Sequence, residues 1–237
     1  MRIQRSAAIV SCLSALAACA GGDRMEAVPP EDEAQAVSQL DGAAVYECTD
    51  GTVLQVRFNH QPASASVLLG EDLNDWALSE RAEFETYTHA DMSLVVGPGD
   101  ARLVRSGSAV ECEGVSRAVP PPGMPDVVRD LRSADAGSTL DIATGERFSV
   151  SLVGVPTAGY EWAPTGLPAF LTLVDEAGGA TSTAQYLPGY TGGNHWEVLV
   201  FEALEAGAGD LVLEQRRPWE DESEPAVDSF RVTVTAR

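Results

Sequence analysis

Arg217-Pro218-Trp219 is the tripeptide of this chain best suited to grip another surface. Arginine and tryptophan are among the side chains most enriched at binding anchors, and a proline between them limits the entropy lost on docking. Two other segments offer related chemistry. In Val155-Pro156-Thr157-Ala158-Gly159-Tyr160-Glu161-Trp162, Pro156 fixes its φ and Gly159 can take a positive φ, so this stretch can make a tight, protruding turn. In Pro188-Gly189-Tyr190-Thr191-Gly192-Gly193-Asn194, the glycines Gly189, Gly192 and Gly193 let the backbone lie close against a neighbouring surface. The chemistry on offer is non-covalent recognition, which needs a rigid shape and buried area and no titrating group.

Catalytic chemistry finds little support. The three histidines, His60, His89 and His195, are scattered and form no ligand-spaced pair, so neither a metal site nor a Ser–His–Asp triad is indicated. No cofactor motif is present. All 15 basic residues are arginine, which removes a P-loop lysine, a Schiff-base lysine and a Ser–Lys dyad. The formal net charge of -21 disfavours nucleic acid, because phosphates would go unneutralised; it suits a basic partner, although keeping the protein in solution is the ordinary use of most such charges.

These segments need strands to hold them, and the sequence supplies strand patterns in both halves. Leu54, Val56 and Phe58 alternate with polar residues, as do Met92, Leu94 and Val96. In the second half Phe148, Val150 and Leu152 alternate with Ser149 and Ser151, and Phe230, Val232 and Val234 alternate with Arg231 and Thr233. Period two predicts one buried face and one wet face per strand. No long amphipathic helix is evident. The run Pro120-Pro121-Pro122-Gly123 is stiff and cannot enter a sheet interior. It divides the chain into a β domain over residues 39–114, a Pro-rich linker over 115–125 and a second β domain over 126–237. The fold class expected is all-β: a small disulfide-stapled β-barrel followed by an immunoglobulin-like β-sandwich. Each grip segment then lies beside a predicted strand, and alternate connections of such a sandwich cluster at one end.

The N-terminus addresses the chain. Arg2 and Arg5 precede an apolar run, Ala7 to Ala18, too short to span a bilayer. Leu16-Ala17-Ala18-Cys19 resembles a lipobox, in which Cys19 takes a lipid and becomes the new N-terminus after a signal peptide over 1–18 is removed. Residues 19–38, polar and acidic with Pro29-Pro30, read as a flexible tether. Ala20, in place of Asp, favours the outer membrane, with the protein facing the periplasm or the surface. The membrane is then touched through the lipid anchor only. An ordinary signal peptide cleaved near the same place is the alternative. In such an oxidising compartment Cys48 and Cys112, the two cysteines left, are expected to form a disulfide.

The second half resembles the chagasin family of cysteine protease inhibitors, whose members carry an Asn-Pro-Thr-Thr-Gly-aromatic loop, a glycine-rich loop before a long strand and an Arg-Pro-Trp loop. The resemblance spans about Leu140 to Thr235 and includes Gly145-Glu146-Arg147-Phe148. It implies that three loops form a wedge filling the active-site cleft of a papain-like cysteine protease. Pro156, Thr157, Ala158, Gly159 and Tyr160 would lie over the catalytic cysteine. Gly189, Gly192 and Gly193 would brace one side, and Arg217, Pro218 and Trp219 the other. Gly159 is expected to act through its backbone and Trp219, separately, through contact area. Val155 and Ala158 stand where the family has Asn and often Thr, which puts affinity or target choice at issue more than fold.

The first half, from about Val45 to Cys112, resembles the membrane-bound inhibitors of C-type lysozyme through Tyr46-Glu47-Cys48, the late Cys112 and Gly99-Asp100-Ala101. That family's Ser-Gly-x-x-Tyr and Lys-Gly segments do not carry over. Glu83 and Phe84 stand at the Ser-Gly positions before Tyr87, and Pro98 precedes Gly99 where the lysine would be. The expectation is therefore a non-enzymatic, reversible inhibitor of papain-like proteases held in the cell envelope. The alternatives are a lysozyme inhibitor acting through the first half, or a non-inhibitory surface binding lipoprotein.

Overall fold

The computed structural model describes residues 40–221 and 223–237. The signal segment, Cys19 and the tether to Ser38 lie outside the described residues. No described helix is long and apolar enough to cross a membrane.

The first half is a closed barrel of eight antiparallel strands. They are β1 (Ala44–Cys48), β2 (Val53–His60), β3 (Ala63–Leu69), β4 (Asp72–Arg81), β5 (Glu85–His89), β6 (Met92–Val96), β7 (Asp100–Arg105) and β8 (Ser108–Val115). Each strand pairs with its sequence neighbour, and β1 pairs with β8 to close the ring. The period-two pattern has its expected result here: Leu54, Val56, Leu94 and Val96 point inward with Tyr46, Trp76 and Leu103. Cys48 and Cys112 face each other across the β1–β8 seam and are disulfide-bonded. A crosslink spanning 64 residues removes about 4 kcal/mol of chain entropy from the unfolded state. The Tyr46 hydroxyl is buried without a hydrogen-bond partner; desolvation first, and then the charge of Asp100, push its pKa up, so the phenol stays neutral.

The second half holds two four-stranded sheets. One has the order β10 (Thr139–Ile142), β16 (Asp228–Ala236), β15 (Gly207–Arg216), β12 (Glu161–Gly166). The other has the order β13 (Leu171–Ala180), β14 (His195–Ala203), β11 (Arg147–Gly154), β9 (Val127–Arg132). Both sheets contribute to one core, in which Phe148, Val150, Leu199 and Phe201 meet Leu211, Leu213, Phe230 and Val232. The outer strands β9 and β10 run parallel to their partners, whereas the other pairs are antiparallel.

One strand departs from the expected alternation. β11 buries Ser149 and Ser151 as well as its apolar residues. β11 lies between β9 and β14, and both hydroxyls donate to a single oxygen, Oδ1 of Asp130 on β9, at 2.8 and 2.7 Å. A polar residue survives burial when it is hydrogen-bonded, and the neighbouring strand supplies the acceptor.

Candidate binding edge

Strand register brings the three predicted loops to one end of the two sheets. Gly154, the end of β11, pairs with His195, the start of β14, and His195 also pairs with Ala180, the end of β13. In the other sheet Glu161, the start of β12, pairs with Arg216, the end of β15, and Gln215 pairs with Asp228, the start of β16. The β11–β12, β13–β14 and β15–β16 connections therefore share an end.

The first loop is locked by its own backbone. Pro156–Ala158 is a 3-10 turn, and Gly159 follows it at φ +79°. The Val155 carbonyl accepts from the amides of Ala158 (3.0 Å) and Tyr160 (3.2 Å), and Gly159 N donates to the Pro156 carbonyl (2.9 Å). Val155 thus closes the turn through its carbonyl, without an Asn side chain.

The third loop clasps the first. Arg217 Nε donates to the Ala158 carbonyl at 2.9 Å, its Nη1 pairs with Glu220 at 2.8 Å, and its guanidinium stacks over the Tyr160 ring, 4.3 Å from the centroid. A planar guanidinium suits this double duty, because it stacks while its edge donates. Trp219 lies across Gly159: a Cβ at Gly159 would come within 2.1 Å of the indole Cη2. The opposite side of the ring is open, and Trp219 is 70% exposed. It is therefore no plug over the sheets. Gly159 has the positive φ expected of it, and the side chain it lacks leaves the seat of the Trp219 ring.

The second loop has contacts of its own. A cleft of about 580 Å³, lined by Pro156, Glu161, Glu176, Gln185, His195 and Glu197, runs along its base. Gly189, Gly192 and Gly193 have φ of +80°, +87° and +95°. Gln185 ties the base of the loop together. Its side-chain oxygen accepts from Thr181 N at 2.7 Å, and its side-chain nitrogen donates to the Asn194 carbonyl at 2.9 Å. Gly189 rests on Pro98 of the barrel, so that a Cβ there would lie 3.4 Å from the proline ring. Barrel residue Phe84 covers Gly97, and Pro98 follows directly.

Glu197, in the cleft, was not singled out by the sequence. Its Oε2 accepts from Trp162 N at 2.7 Å, while its Oε1 is buried without a partner. That carboxylate occupies the space where a Gly154 side chain would be. Burial pushes its pKa up; the bond from Trp162 opposes this, and Glu161 and Glu176 add to the rise. Thr183, Tyr186, Leu187 and Trp196, which carry the contacts between halves, were also missed. The only local hint is Ser182-Thr183-Ala184-Gln185, a capping-box spacing at a 3-10 turn. Among the described residues no group of three His, Cys, Asp or Glu could hold a metal ion.

Residues 141–234 match the family described as Chagasin family peptidase inhibitor I42. Amoebiasin-1 of Entamoeba histolytica is 30% identical over 110 residues, which cover 44% of this chain and 97% of that protein. Among solved structures, the cysteine protease inhibitor EhICP2 of Entamoeba histolytica aligns at 21% identity. It covers 48% of this chain and 100% of its own, with a TM-score of 0.41. The solution structure of Amebosin aligns at 27% identity over 46% of this chain and 97% of its own, with a TM-score of 0.38.

Proposed function

Because the chain belongs, through its second half, to the chagasin family of peptidase inhibitors, we propose that it is a reversible, non-covalent inhibitor of papain-like cysteine proteases. One observation carries the reading: Arg217, Tyr160, Gly159 and Trp219 interlock into a rigid ridge at one end of the sheets, where the motif resemblance puts the wedge. Such a ridge fills a cleft and excludes water, and no step in it requires bond making. Pro156, Thr157 and Ala158 form the crest; Pro218 and Trp219 stand at one flank, and Gly189, Gly192 and Gly193 at the other. The two sheets are read as an immunoglobulin-like sandwich, with domains at 39–114 and 126–237.

The chain is further proposed to be a lipoprotein of the cell envelope, lipidated at Cys19 and facing the periplasm or the surface. Replacing Cys19 by Ser then releases it into the soluble fraction; retention with the outer membrane after a high-salt wash speaks against the anchor. A lysozyme-directed role for the barrel gains no support from its residues, since Pro98, at the position of the family's lysine, is occupied by contact with Gly189.

The deciding experiment titrates papain with the secreted, unlipidated protein and follows residual activity. Inhibition that is reversible on dilution and stronger than micromolar supports the reading. A folded protein that leaves papain and cathepsins active at micromolar concentration removes it, and leaves a surface binding lipoprotein in its place.

A further inference from the structure

Resting on that reading, we infer that the N-terminal barrel is a positioning element of the inhibitory edge: it fixes the second loop in the conformation that meets the protease. Thr183, at the root of that loop, is fully buried although polar. Its hydroxyl and its amide both find their partners in the chain that leaves the barrel. Its hydroxyl donates to the carbonyl of Val115, the last residue of β8, at 2.7 Å, and accepts from Arg117 N at 2.9 Å. Its amide donates to the Arg117 carbonyl, also at 2.9 Å. Ala118 bridges Ser182, Val119 N donates to the Thr181 carbonyl, and the Trp196 indole donates to the Val119 carbonyl at 2.7 Å. The segment expected to be a linker is therefore laid along the loop's base, joined to it by an isolated antiparallel bridge and these hydrogen bonds.

The loop itself then leans on the barrel. Tyr186 and Leu187 pack against the barrel core. The Leu187 methyls lie over Gly114 of β8, where a Cβ would come within 2.5 Å of them. Two residues on, Gly189 rests on Pro98 of the β6–β7 turn. What remains between this foothold and β14 is a short glycine-rich stretch with many accessible backbone states, and such a stretch binds well only when it is already ordered. The first and third loops order one another by side-chain contact. The second loop takes its order from the barrel.

The test uses the whole protein with Leu187→Ala, Thr183→Val and the conservative Leu187→Met. Hydrogen exchange is read at the amides of residues 189–194 without protease, and dissociation from papain is timed in parallel. Leu187→Ala and Thr183→Val are expected to speed exchange of these amides by about tenfold while those of Ala158 and Gly159 stay as they are. Dissociation is expected to quicken by about tenfold. Leu187→Met is expected to restore both. Thr183→Val keeps the shape of the side chain and serves if Leu187→Ala does not fold. Unchanged exchange at 189–194, or faster exchange with unchanged dissociation, overturns the inference. A wild-type chain that fails to inhibit papain removes the reading of the edge, and exchange alone then decides whether the barrel fixes the loop.

Discussion

The two flanks of the candidate edge are rigid for different reasons. On one flank, the first and third loops hold each other: Arg217 spans from Glu220 to the Ala158 carbonyl, Tyr160 lies under its guanidinium, and Trp219 fills the space that Gly159 leaves. Everything needed is carried within residues 155–220. On the other flank, the second loop is footed on a different part of the chain, through Thr183, Leu187 and Gly189. A ridge that orders itself tolerates changes elsewhere in the protein. A loop ordered from outside makes its scaffold part of the recognition surface.

Removing the disulfide tests that contrast with the largest expected effect. Cys48→Ala with Cys112→Ala deletes the staple at the β1–β8 seam, beside which Leu187 sits. The expected loss is about 4 kcal/mol of barrel stability, measured by chemical denaturation. In the folded variant, exchange should quicken in the second loop and stay unchanged at Gly159. Equal loosening of both flanks would dissolve the distinction.

Gly159→Val strikes the self-ordered flank. A β-branched residue is strained at φ +79°, and its Cβ would displace the Trp219 indole. About 100-fold weaker inhibition of papain is expected, with the barrel unaffected. Trp219→Ala should weaken inhibition by about 30-fold, close to 2 kcal/mol, as for a truncated anchor. The double variant sharpens the picture. Because the two residues occupy one another's space, their losses should fall short of additive; additive losses would show that they act separately.

The smallest effect concerns Glu197, in the cleft along the base of the second loop. Its carboxyl pKa is raised in the folded chain, so ionisation costs stability. The penalty is absent below the ordinary carboxylate pKa and grows as pH rises through the raised value. Glu197→Gln should therefore raise the melting temperature at pH 7 by about 2 °C, and the gain should vanish in acid. A gain that persists in acid would assign the effect to something other than charge.

The barrel strands were legible because Leu54, Val56, Leu94 and Val96 alternate with polar neighbours along single strands. The disulfide was legible because the sequence left Cys48 and Cys112 with no other expected use. The three connections were legible because each segment flanks a strand pattern, and register brings them to one end. β11 misled, because Ser149 and Ser151 look solvent-facing until Asp130 on a neighbouring strand is seen to hold both. The barrel's grip on the second loop was invisible for a related reason. Thr183 and Leu187 find partners near residues 114–117, far away in sequence, and no local period records such a contact. The same distance hid the role of residues 115–119, whose prolines downstream suggested a spacer and nothing more.

Trp219 gives this protein an optical signal of its own. Trp76 and Trp162 are buried and Trp196 is partly covered, so the Trp219 ring, open to water, dominates whatever part of the fluorescence responds to solvent. Burying that indole against another surface shifts its emission to shorter wavelength and shields it from soluble quenchers. Docking of the ridge can thus be followed in unlabelled protein, against a partner whose own tryptophans have been replaced, and separately from events at the other flank.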